Sequence, residues 1–90
     1  MTTMRAKFQV GFVHQNIYSI DRDKGPEKQS ETLKMHAVAA SKYPEDGSDE
    51  DNTFAKWPPG ADLSINIANP ALWDKFKIGD MFYVDFTPVA

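Results

Sequence analysis

The chain contains no cysteine, which excludes disulfide staples, thiolate zinc sites and cysteine nucleophiles together. Packing alone must hold it, a condition that suits a reducing compartment. Long apolar runs are missing too: stretches such as Ala37–Ala40 are only a few residues long, far short of a bilayer span, so no membrane role is expected. The segment Met1–Lys7 carries two cations and is followed by a charged and aromatic mixture, not by the apolar block of a secretory leader. Positive charge is not in excess, with 10 Lys and Arg against 13 Asp and Glu and a net charge of −3. The basic surface of a duplex-DNA binder is therefore absent.

What is present describes one small folded domain over residues 1–90. Hydrophobic side chains make 41% of the 90 residues, a chain too short for two independent cores. Two Trp, three Tyr and six Phe supply bulky apolar mass against chain entropy. Negative charge is unevenly placed: Glu45, Asp46, Asp49, Glu50 and Asp51 fall within one short stretch without a base. A slightly basic body with one acidic loop is the result.

Period-2 alternation dominates the chain. Phe8, Val10, Phe12 and His14 alternate with Lys7, Gln9, Gly11 and Val13, giving a first strand over 6–17. Residues 19–30 are charged and hold Gly25-Pro26, which reads as an exposed hairpin loop. Leu33, Met35, Ala37 and Ala39 mark a second strand over 31–40, antiparallel to the first. An acidic loop over 41–52 follows, then a short edge strand over 53–57 that Pro58-Pro59-Gly60 stops. Leu63, Ile65 and Ile67 alternate with Ser64, Asn66 and Ala68, the clearest strand in the middle of the chain. Asn69-Pro70 opens one or two helical turns toward Phe76, with Leu72, Trp73 and Phe76 at helical spacing. Phe82, Val84 and Phe86 complete a closing strand. Five strands and one short helix before the last predict a mainly β, OB- or SH3-like barrel, closed because closure removes edges.

Candidate chemistry is sparse. The acidic residues lack the alternate spacing of a calcium loop, with Gly47 directly after Asp46, so they read as a solvated loop or a docking patch for a basic partner. His14 and His36 lie on paired strands, but face arithmetic puts them on opposite sides unless a bulge intervenes. No nucleophile elbow and no glycine-rich phosphate loop occur. The expectation is a non-enzyme with no catalytic residues, no metal and no cofactor. Aromatic residues beside cations, as in Phe54-Ala55-Lys56-Trp57 and Lys75-Phe76-Lys77, suggest surface contacts. Phe54, Lys56, Trp57 and Tyr83 form the expected protein-contact face. Arg5, Lys56 and Lys77 form the alternative, a single-stranded nucleic-acid site in which bases stack and phosphates are neutralised. Aromatics on an edge strand equally suit a homo-oligomer.

Several blocks carry a resemblance: Asp51–Trp57, Asp62–Leu72, Phe76–Asp80 and Phe82–Pro88, with Arg5–Phe8 and Ser30–Leu33. Together they resemble small uncharacterised proteins, about half of the chain being covered, that tailed bacteriophages and prophages encode. The resemblance implies a viral protein and transfers no catalytic residue. It suggests a small virion accessory, such as a capsid-decorating protein acting by protein–protein interaction, placed in the virion or the host cytoplasm. The alternative is a protein of the infected cell that binds single-stranded DNA or a nucleotide, an antagonist of host defence among such roles.

Overall fold

The computed structural model describes residues 4–89. Four antiparallel strands form one open sheet: β1 (Met4–Tyr18), β2 (Glu27–Ala37), β3 (Asp62–Ile67) and β4 (Met81–Phe86), in the order β3-β2-β1-β4. β1 and β2 make a long ribbon, and the two short strands flank it at different heights. β4 pairs with Met4–Gln9 of β1, and β3 pairs with Glu31–His36 of β2. The short strands are thus the two edges of the sheet and do not meet.

This corrects the expected five-stranded barrel. Its missing strand is the segment 53–57, which is turn and bend. One reason lies in Asn52, whose side chain takes the place that a strand would fill. Beyond the end of β2, β1 still has backbone groups pointing to that side. Lys7 N donates to Asn52 Oδ1 (2.8 Å) and Arg5 N to Thr53 Oγ1 (2.8 Å), while Thr53 N donates to Arg5 O (2.9 Å). A side-chain amide and one Thr therefore satisfy the ladder, and the chain after Thr53 is free to turn away. The expected helix also shrinks, to one 3₁₀ turn at Pro70–Leu72. Asn69 caps it through Ala71 N (3.1 Å), but Trp73 is extended and Asp74 has φ 61°, a left-handed conformation that stops propagation.

β1 extends at both ends, to Met4 and Tyr18, whereas both boundaries of β2 move toward the N-terminus. β2 begins at Glu27 instead of residue 31 and ends at Ala37 instead of residue 40. The charged loop shortens accordingly to 19–26, where Gly25 supplies a positive φ of 73°.

The core lies on one face of the sheet. Ala6, Phe8, Val10, Leu33, Met35 and Ile67 are its buried apolar residues. The connection from β3 to β4 runs from one edge to the other, and it packs Trp73 and Phe76 against this cluster. Phe76 tilts against Phe82 at a centroid distance of 5.3 Å. Glu31 is buried among these apolar groups (2% exposed). It accepts from Asp74 N at 2.8 Å and pairs with Lys28 Nζ at 3.6 Å. Lys28 in turn lies over the Trp73 ring at 4.7 Å, and Trp73 Nε1 donates to Ile67 O (2.9 Å). These contacts lash the crossing segment to the sheet.

A bulge corrects the expected inward row of β1. Val10 opposes Met35 and Phe12 opposes Lys34, leaving Gly11 unpaired. The extra residue reverses the alternation. Val13 packs toward the core, and Phe12 turns outward with 41% of its surface exposed. It lies under Lys34 Nζ (5.1 Å) and beside the His14 ring (6.0 Å). His14 is likewise exposed.

Candidate contact surface

The expected contact residues divide between the two faces of the sheet. Phe54 lies on the core side, where the chain emerging from Asn52 passes the start of β1. There it lines an open groove of about 240 Å³ with Met4, Ala6, Phe8, Leu63 and Phe86. Met4 and Phe86 are direct partners in the β1–β4 register, so two apolar side chains form one wall by construction of the sheet. Their exposure, and that of Phe54, means that the chain leaves this end of its own core uncovered.

Tyr83 sits on the opposite face, within a compact polar cluster. Asp85 receives a bidentate pair from Arg5, at 2.7 Å from Nε and 3.2 Å from Nη2. The Arg5 guanidinium lies 4.6 Å from the centre of the Tyr83 ring. The Tyr83 hydroxyl donates to Asp51 Oδ1 (2.8 Å), and Lys7 Nζ approaches Asp51 Oδ2 at 3.5 Å. The hydrogen bond from Arg5 holds the Asp85 carboxyl below the usual carboxylate range. The hydrogen bond to Asp51 pushes the Tyr83 phenol above its ordinary value. Two cations and two carboxylates balance here, so the cluster presents little net charge.

Trp57 and Lys56 follow Phe54 in the same loop. The Trp57 backbone is left-handed (φ 62°) and its N–H donates to Gly47 O at 2.8 Å. A Cβ at Gly47 would stand 2.8 Å from Trp57 Cε2, so glycine is what lets the indole lie on the acidic loop. Tyr43 meets the indole edge-on at 6.3 Å. One side of Trp57 thus closes the loop, and half of the side chain (50%) remains exposed. Lys56 is exposed beside it.

Of the alternative nucleic-acid residues, Arg5 and Lys77 stand apart. Arg5 opposes Asp85 at one end of β4, whereas Lys77 lies in the turn before Met81, which opposes Gln9. Four residues of strand, about 13 Å at 3.3 Å per residue, separate Arg5 from Gln9. Arg5 is already held by a carboxylate.

The histidines likewise stay apart. The Gly11 bulge brings His14 and His36 to one face, but His14 opposes Thr32 and His36 opposes Gln9. About 13 Å of strand separates Thr32 from His36. Within the acidic loop, Asp46 and Asp49 turn their carboxylates onto the loop's own backbone. Asp46 Oδ1 accepts from Ser48 N (3.0 Å), a bond that lowers the Asp46 pKa. Asp49 Oδ1 accepts from Asp51 N (2.9 Å) and Asn52 N (3.2 Å). Asn52 is wholly buried, its Nδ2 donating to Val38 O (2.9 Å) and Asp49 Oδ2 (3.1 Å).

Reading the sequence missed Met4 and Phe86 as contact residues, although strand alternation does signal both. It missed Asn52 and Glu31 as structural polar residues, and no periodicity marks them. The chain matches no protein-family model, no curated protein and no solved structure.

Proposed function

We propose that this chain is a non-enzymatic contact protein, and that it serves as a small accessory on a virion surface. The observation that carries the reading is the open apolar groove between Met4, Phe54, Leu63 and Phe86. An exposed apolar patch with a polar rim is the usual mark of a protein interaction site, and its aromatic walls are the residue type that anchors interfaces. The virion setting comes from the motif resemblance in Asp51–Trp57 and Phe82–Pro88. The nucleic-acid reading has less support, because Arg5 is paired and Lys77 stands apart from it.

Quantitative mass spectrometry of virions, with the infected-cell lysate alongside, tests the proposal. A fixed ratio of this chain to the major capsid protein is expected, and Phe54→Asp should reduce that ratio without unfolding the chain. Absence from virions together with abundance in the lysate would overturn it.

A further inference from the structure

Both edges of the sheet lack Pro, Lys and a bulge, but they differ in the side chains they carry. β3 is polar along its whole outer face, with Asp62, Ser64 and Asn66. β4, Met-Phe-Tyr-Val-Asp-Phe, has no Pro, no Lys and a single charge, and its pairing with β1 has no bulge. Proteins ordinarily blunt such an edge with Lys, Pro or a bulge, because its open backbone groups recruit another strand.

The direction of those open groups follows from β1. The backbone groups of Arg5 and Lys7 turn away from β4, toward Thr53, Asn52 and Val38. Alternation then turns those of Ala6 and Phe8 toward β4, onto their partners Val84 and Phe82. On β4 it is consequently Met81, Tyr83 and Asp85 whose N–H and C=O face outward.

We infer that β4 is the seam of a homodimer, in which two copies pair β4 antiparallel about a two-fold axis at Val84 and join their sheets into one of eight strands. This centre makes the edge self-complementary on both faces. On the core face, Phe82 comes opposite Phe86 of the second copy, so the row Phe8, Phe82, Phe86, Met4 runs unbroken across the seam. Ala6, Val84, Val84, Ala6 forms the row beside it. On the other face, Tyr83 meets Asp85 of the second copy, giving Lys7, Tyr83, Asp85, Arg5 with no like charges opposed. A centre at Tyr83 would instead set Phe86 against Asp80.

The projecting ribbon gives the chain 6646 Å² of exposed surface, against about 5,300 Å² for a compact monomer of its 10.1 kDa mass, so the choice of occupant rests on the self-complementary rows of β4. The inference rests on the β4 edge and is independent of the proposed function.

The absence of cysteine makes the seam directly testable. Around this axis Val84 and its copy form a non-hydrogen-bonded pair, with Cα atoms about 4.5 Å apart, a distance a disulfide spans. Sedimentation equilibrium of the full chain should give twice 10.1 kDa. V84C treated with oxidised glutathione should become a covalent dimer, while I20C, placed in the distant charged turn, should not. Tyr83→Pro removes an outward N–H without breaking the β1 ladder, and should be monomeric at concentrations where the unaltered chain is dimeric, with the same far-ultraviolet circular dichroism. A monomeric mass for the unaltered chain, equal cross-linking of I20C, or a folded Tyr83→Pro dimer would each overturn the seam. Should Tyr83→Pro fail to fold, the mass and the V84C to I20C contrast decide.

Discussion

The two polar loops look alike in sequence and differ in what they do. Residues 19–26 make a turn held by few local bonds, such as Asp23 N to Asp21 Oδ1 (3.0 Å) and Lys24 N to Asp21 O (3.2 Å). Ile20 stands 76% exposed there. Residues 38–61 instead reach into the sheet, where Asn52 and Asp49 are buried and the backbone of β1 is satisfied by side chains. Charge and Gly/Pro content mark both as loops. Whether a loop is structural depends on where its one or two short amides land, since a buried polar group is stabilising only when all its partners are in place.

Asn52→Ala should be the sharpest way to break this difference. It strips the Lys7 and Val38 backbone groups of their partner and leaves the Asp49 carboxylate short of one, a loss of about 3 kcal/mol, measured by urea unfolding. Glu31→Ala should come next, at about 2 kcal/mol, because it orphans Asp74 N and leaves the partly buried Lys28 with the exposed Asp74 carboxylate alone. Trp73 emission, under Lys28, should shift with it. Gly47→Ala should cost about 1.5 kcal/mol through its left-handed backbone and push the indole of Trp57 outward, as read by quenching of Trp57 in a Trp73→Phe background.

Smaller still is the pH response of the Tyr83 cluster. The folded pKa of Asp85 is lowered from 3.8, so its contribution is present above the unfolded value and fades as pH falls through the folded one. Tyr83 is raised from 10.0. Its contribution is complete below that value and disappears as alkali takes pH through the folded pKa. Thermal melts at acid and alkaline pH should show both losses, and Asp85→Asn should reduce the acid one, leaving the share of Asp46. The least effect belongs to the charged turn, where replacing Arg22, Asp23 and Lys24 with Ser should change stability by no more than about 0.5 kcal/mol.

Much of the sheet was legible from alternation: β3, β4 and the root of the ribbon fall where period-2 rows place them. The barrel was not, because closure depends on whether β3 and β4 reach each other, and they pair with different stretches of the ribbon. The segment 53–57 misled because Phe54 and Trp57 have strand-like composition, while Asn52 had already filled the slot beside β1. Of the contact face, Phe54 belongs to a real groove, yet its neighbours Met4 and Phe86 come from the two ends of the chain. Tyr83 lies off the core side of its strand, which removes it from Phe54.

Gly11 acts on β1 as a frameshift acts on a message. Every residue after it is written in the opposite phase, so Val13 faces the core and Phe12 and His14 face water. Deleting this one residue would leave Val10 and Phe12 adjacent, opposite Met35 and Lys34 in a ladder without a bulge, with Phe12 still outward and Val13 still inward. A change of one residue elsewhere along the ribbon, with no bulge to absorb it, exchanges the two faces of everything distal to it, and a change of two returns them.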